Sequence, residues 1–137
     1  MADLSITAAN VKIGDDNTLT KLRQAGEAIT QGQPYYISTT DGKAYQTDAN
    51  DGVAKAAIKG VALLPAALDG YFYGAEKGQI VIGATVAIGT PYVVSATKGA
   101  ICPLGDITSG QFIGQIGYAI TTTIIDIQPI IVGVAKA

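Results

Sequence analysis

The chain has 137 residues, 48% of them hydrophobic and only 15% charged, with a formal net charge of -2. That length suits one domain with an adequate core, and the scarcity of charge argues against disorder and implies much uncharged surface. No His, a single cysteine (Cys102) and nine scattered basic residues exclude an intrachain disulfide and a cysteine-rich zinc site, and leave no imidazole base and no basic stripe for nucleic acid.

Seventeen glycines, and seven Tyr against two Phe, read as strands joined by tight turns in an all-β chain. The opening MADLSITAAN has an acid at Asp3 and no positive start, so it does not read as a secretory signal. Residues 1–25 form an N-terminal arm with spaced apolar positions: Leu4, Ile6, Val11, Ile13, Leu19 and Leu22. Each aliphatic side chain gains roughly 1.5–3 kcal/mol when fully buried. The arm is therefore expected to lie against a neighbouring subunit or another partner; the alternative is an edge strand on its own barrel. Asp15-Asp16-Asn17 lacks the alternate spacing and distal Glu of a calcium loop and reads as a solvated turn.

Beyond the arm the chain repeats itself. Residues 26–42 read GEAITQGQPYYISTTDG and residues 83–99 read GATVAIGTPYVVSATKG, with seven of seventeen positions identical at an ungapped offset of 57. Gly60-Val61-Ala62 falls on Gly117-Tyr118-Ala119 in the same frame. Such self-similarity marks a duplication. It gives copies 26–82 and 83–137 within a single β domain spanning 26–137. Units of some 55 residues are marginal alone, so the two are expected to pair about a pseudo-twofold axis as a small antiparallel barrel or sandwich.

In each copy a short strand (28–30, 85–87) leads through a Gly-x-Pro turn into a second strand (35–39, 92–96). Its Tyr35/Ile37 or Tyr92/Val94 face is placed inward. Hairpin turns follow at 40–42 and 97–99. Further strands are expected near 43–47, 60–64, 71–74, 79–82, 111–120, 124–127 and 130–134, with Pro129 marking an edge or bulge. One short helix is expected between an N-cap at Asn50-Asp51 and a stop at Gly60. The uncharged stretches 78–97 and 107–125 contain Gly and Thr, and the first alternates at strand period, so neither reads as a membrane helix.

Candidate chemistry is sparse. No carboxylate pair stands out as an acid/base dyad, and no glycine run has the Lys and following helix of a nucleotide loop. Cys102 has no nearby base and reads as an inert core residue. In Tyr71-Phe72-Tyr73 a strand puts Phe72 inward and Tyr71 and Tyr73 outward, as a contact patch or as a cover for the barrel end. Duplicated β halves also build biotinyl and lipoyl carriers, whose modified Lys sits at a hairpin tip; Glu76-Lys77-Gly78 reads as a turn, but the carrier motif around the Lys is missing.

The chain resembles the cement, or decoration, proteins that tailed bacteriophages add to the outside of their capsids. The resemblance rests on ADLSITAANV, on the segment 26–42, on Ile58-Lys59-Gly60-Val61-Ala62-Leu63 and on Thr90-Pro91-Tyr92 through Ile101-Cys102-Pro103. It implies a non-enzymatic virion component on the capsid surface, made in the host cytoplasm. Its partners would be the major capsid protein and further copies of itself, as a homo-trimer, with no cofactor, metal, nucleic acid or membrane. A tail or baseplate component is the alternative. The partner-binding residues are expected among Leu4, Ile6, Val11, Ile13, Leu19, Leu22, Tyr71 and Tyr73.

Overall fold

The computed structural model describes residues 3–137. They form ten strands: β1 (Lys12–Ile13), β2 (Leu19–Gln24), β3 (Pro34–Ile37), β4 (Ala44–Gln46), β5 (Gly60–Ala62), β6 (Tyr71–Val81), β7 (Pro91–Val94), β8 (Ile101–Pro103), β9 (Phe112–Ala119) and β10 (Ile124–Ala135). The strand pairs are antiparallel, and the sheet curls into a half-barrel in the order β4-β3-β5-β6-β10-β9-β7-β8, with β1 and β2 added to β6. Among the described residues no helix is long and apolar enough to cross a membrane.

The duplication is written into the register. Tyr35 pairs with Gln46 and with Gly60; Tyr92, 57 residues on, pairs with Pro103 and with Gly117. Ile37↔Ala44 likewise becomes Val94↔Ile101, and Pro34↔Val61 becomes Pro91↔Tyr118. The two tyrosines are both buried, as the inward assignment requires. Beyond this point the spacing changes. Val61 pairs with Ala75 but Tyr118 with Asp126, so the last strands of the copies, β6 and β10, correspond at 51 rather than 57 residues. A shorter connection between β9 and β10 accounts for the difference.

Several expectations are corrected. The helix between 50 and 60 is only a 3-10 turn at Ala54–Ala56 without a side-chain cap. Gly52 takes φ 90°, which breaks the run, and what remains is too short to repay helix nucleation. The strands at 28–30 and 85–87 reduce to a single bridge, Ile29↔Ala66, and one hydrogen bond from Val86 N–H to the Thr122 carbonyl. The segments 71–74 and 79–82 merge into one long strand, because β2 pairs across the residues between them. Glu76-Lys77-Gly78 is thus mid-strand and no hairpin tip. Gly78, at φ 105°, lies where the ladder on β6 passes from β2 to β10. Segments 124–127 and 130–134 merge as well, with the register shift at Pro129 that proline predicts.

The arm is also corrected: it belongs to its own domain. Val11 is buried in the main core, and Leu4 and Ile6 pack against it. Leu4 N–H donates to the Ile101 carbonyl and Thr7 N–H to that of Gly83, both at 2.8 Å. β1 then pairs with residues 80–81 of β6, and β2 with residues 71–77. Residues from both copies share the main core, among them Val61, Ile80, Ile116 and Ile127. A smaller cluster gathers Ala25, Ile29, Tyr35, Ala44, Ala62 and Phe72, with the Tyr35 and Phe72 rings edge to face at 5.2 Å.

Candidate interaction surface

β6 is the organising strand, and its alternation decides which side chains meet water. Phe72 is buried, while Tyr71 and Tyr73 on the other face are 64% and 49% exposed. The cross-strand pairing of β2 places Leu22, 57% exposed, directly opposite Tyr73. Leu22, Tyr71 and Tyr73 therefore form one apolar patch with two hydroxyl groups, a composition suited to protein contact. Two segments far apart in sequence, β2 and the start of β6, supply it. Leu63 N–H donates to the Tyr73 carbonyl at 2.8 Å, which brings the exposed Leu64 near the patch.

The other arm residues divide. Ile13 and Leu19 are exposed, but Leu4, Ile6 and Val11 are engaged with the protein's own core. They are withdrawn from the partner-binding set because that core has already taken their apolar surface.

Beneath the patch, on the opposite face of β6, an ion pair fixes the arm to the barrel. Arg23 of β2 donates from Nε to Glu76 Oε2 at 2.7 Å and from Nη2 to Oε1 at 2.8 Å. Tyr35 Oη donates to the same Oε2 at 2.6 Å. Burial by itself pushes the Glu76 carboxyl up, yet the hydrogen bonds from Arg23 and Tyr35 hold it below its ordinary value. Burial and the bond to Glu76 push the Tyr35 hydroxyl far up, so it stays a proton donor. Gly74 makes the contact possible: a Cβ there would run into the Tyr35 ring and hydroxyl. In the second copy the hydroxyl of Tyr92 accepts from Ala87 N–H at 3.0 Å instead.

This set is fully paired among the described residues, and although Glu76 borders an open groove with Lys77 and Pro129, its carboxylate is already committed to Arg23 and Tyr35. The set is a structural clamp. Cys102 is buried, and burial pushes its thiol up to about 11, which removes nucleophilic character at neutral pH. Asp15 accepts from Asn17 N–H at 2.6 Å, an Asx-turn arrangement. A cleft of about 550 Å³ between the arm and residues 81–85 is lined by Ser5, Thr7, Asn10, Lys12 and Thr123, with no acid/base pair among them.

Exposed apolar residues that the sequence reading did not single out lie on β10. Ile130, Ile131 and Val134 project into solvent from both faces of its last six residues. The signal was an apolar run without alternation, which suits a strand covered on both sides. No protein-family model matches the chain, and the comparison with curated proteins found no match.

Proposed function

We propose that the protein is a structural virion component that binds the outside of a tailed-phage capsid and stabilises the shell by bridging major capsid subunits, working as a homo-trimer. The observation that carries this reading is the Leu22, Tyr71 and Tyr73 patch on a rigid, clamped pair of strands. The resemblance of the sequence to capsid cement proteins gives that patch its partner. The carrier alternative loses its premise, because Lys77 lies inside β6 rather than at a hairpin tip.

The test mixes the purified protein with capsids of its own virus that lack it. Co-sedimentation, with higher resistance of the shell to heat, is the expected result. A Tyr71→Lys/Tyr73→Lys variant that remains folded should lose binding. Absence of binding by the wild-type protein overturns the proposal, and microscopy that places the protein on tails assigns it to the tail or baseplate instead.

A further inference from the structure

The two repeat copies are not equally covered. In the first copy, residues 78–81 of β6 have β10 along one edge, and β1 pairs with residues 80–81 along the other. The corresponding residues of the second copy, 129–132 of β10, have β9 along one edge and no strand along the other among the described residues. The consequence shows on equivalent side chains. Ile80 is fully buried, whereas its counterpart Ile131 is 54% exposed.

The pseudo-twofold axis explains what is missing. Residues 73–76 of β6 should lie along 129–132 of β10, as 124–127 of β10 lie along 78–81 of β6. That edge of β6 is instead taken by β2. β10 consequently departs from β6 at Pro129, and Leu19, Glu76, Lys77, Pro129 and Ile131 line a groove of about 330 Å³ in the fork. Residues 130–135 emerge as a free edge with Ile130 50% and Val134 68% exposed. They contain no charge, so they lack the usual protection of an exposed edge.

We infer that residues 130–135 of β10 pair with the outer edge of β2 in a second copy of this chain, head to tail, so that the copies close into a ring. Several features select this occupant. β2 is the other edge of the fork without a strand partner among the described residues, and both segments are six residues long, each spanning about 20 Å. β2 exposes Leu19 and Leu22, which matches the apolar character of β10. It also carries the exposed Lys21, for which no ion pair forms among the described residues, so two β2 strands would bring like charges close, while an uncharged β10 meets no such repulsion. Pairing β10 with itself would leave β2 uncovered. Head-to-tail strand addition satisfies both edges with one contact, and a rotation that closes gives a ring. This deepens the trimeric part of the proposed function and requires no capsid.

Complementary variants test it in solution. Leu22→Lys blocks the β2 edge, and Ile130→Lys/Val134→Lys blocks the β10 edge. Light scattering should find each variant monomeric alone, with an unchanged far-ultraviolet circular dichroism spectrum. Their mixture should form a one-to-one heterodimer, because only one intact pair of edges remains. A wild-type protein that stays monomeric at 100-fold higher concentration than the assay requires, a Leu22→Lys variant that still self-associates, or a mixture without heterodimer overturns the inference. Should a variant fail to fold, hydrogen exchange on the wild type decides. The amides of 19–24 and 130–135 must both gain protection as the protein associates, and no gain refutes the pairing. These outcomes are independent of capsid binding, so failure here leaves the capsid test standing, and the reverse holds too.

Discussion

Replacing Glu76 with Ala should reveal how far the arm is held by its clamp. The substitution orphans the hydroxyl of Tyr35, a fully buried residue that donates to Glu76 at 2.6 Å. An unpaired buried polar group costs about 1–3 kcal/mol. The Arg23 side chain is 25% exposed and can turn to water, so its lost pairing adds no more than about 1 kcal/mol. The truncated methylene adds about 0.8 kcal/mol. Together these give a destabilisation of about 2–5 kcal/mol, well above that of an exposed pair. Urea unfolding at one fixed chain concentration measures it. In a Tyr35→Phe background the same substitution should cost about 1–3 kcal/mol less, since no hydroxyl remains to be orphaned. A loss under about 1 kcal/mol, or an equal loss in both backgrounds, would refute the account of the clamp.

Other expectations concern the same strands. Gly74→Ala should destabilise by about 1–3 kcal/mol, because its Cβ meets the Tyr35 ring between two packed strands; thermal unfolding checks this, and Tyr35→Phe should not rescue it, as ring atoms crowd the site as well as the hydroxyl. Stability should also fall in acid. The Glu76 carboxyl titrates lower in the folded protein than in the unfolded chain, so its contribution is complete above the unfolded value of about 4.3 and is lost as pH falls through the folded one. The urea midpoint measured from pH 7 to pH 2.5 should show that loss, and Glu76→Gln should flatten it. The exposed Asp41, held low by a hydrogen bond from Tyr45, accounts for part of any residual slope.

The residues that the sequence made legible are those set by local rules. Strand alternation placed Phe72 inside and Tyr71 and Tyr73 outside, and the ungapped repeat anticipated matching registers around Tyr35 and Tyr92. Pro129 marked its bulge because it cannot donate to a ladder. What was hidden depends on contacts distant in sequence. Nothing local says that Arg23 meets Glu76, 53 residues away. The Ala-rich segment near 54–57 favours helix by propensity, yet its neighbours allow only one turn. The patch itself was half visible: Tyr71 and Tyr73 came from alternation, but Leu22 joined them only through pairing of β2 with β6.

The arm is where the two copies diverge, and its removal is a decisive perturbation. In the second copy, β9 runs on from residue 119 back to residue 112 along β10. In the first copy, β5 covers only Gly60–Ala62, and the chain before it turns away at Ala54–Ala56. The edge of β6 thus left bare is covered at 80–81 by β1, and the opposite edge at 71–77 by β2. The arm therefore replaces strands that duplication alone does not supply. Deleting residues 3–25 would uncover both edges, remove Val11 from the main core and strip Leu4 and Ile6 from its surface. Those three side chains alone represent roughly 3–6 kcal/mol, against a total stability of about 5–15 kcal/mol for a domain. Loss of the Arg23 clamp and of the β2 ladder removes what margin remains. The truncated chain should lack cooperative thermal unfolding and should show collapsed amide dispersion in its NMR spectrum. A truncated protein that unfolds cooperatively within a few degrees of the full chain would mean that the half-barrel closes without the arm, and that β1 and β2 are ornaments on a self-sufficient duplication.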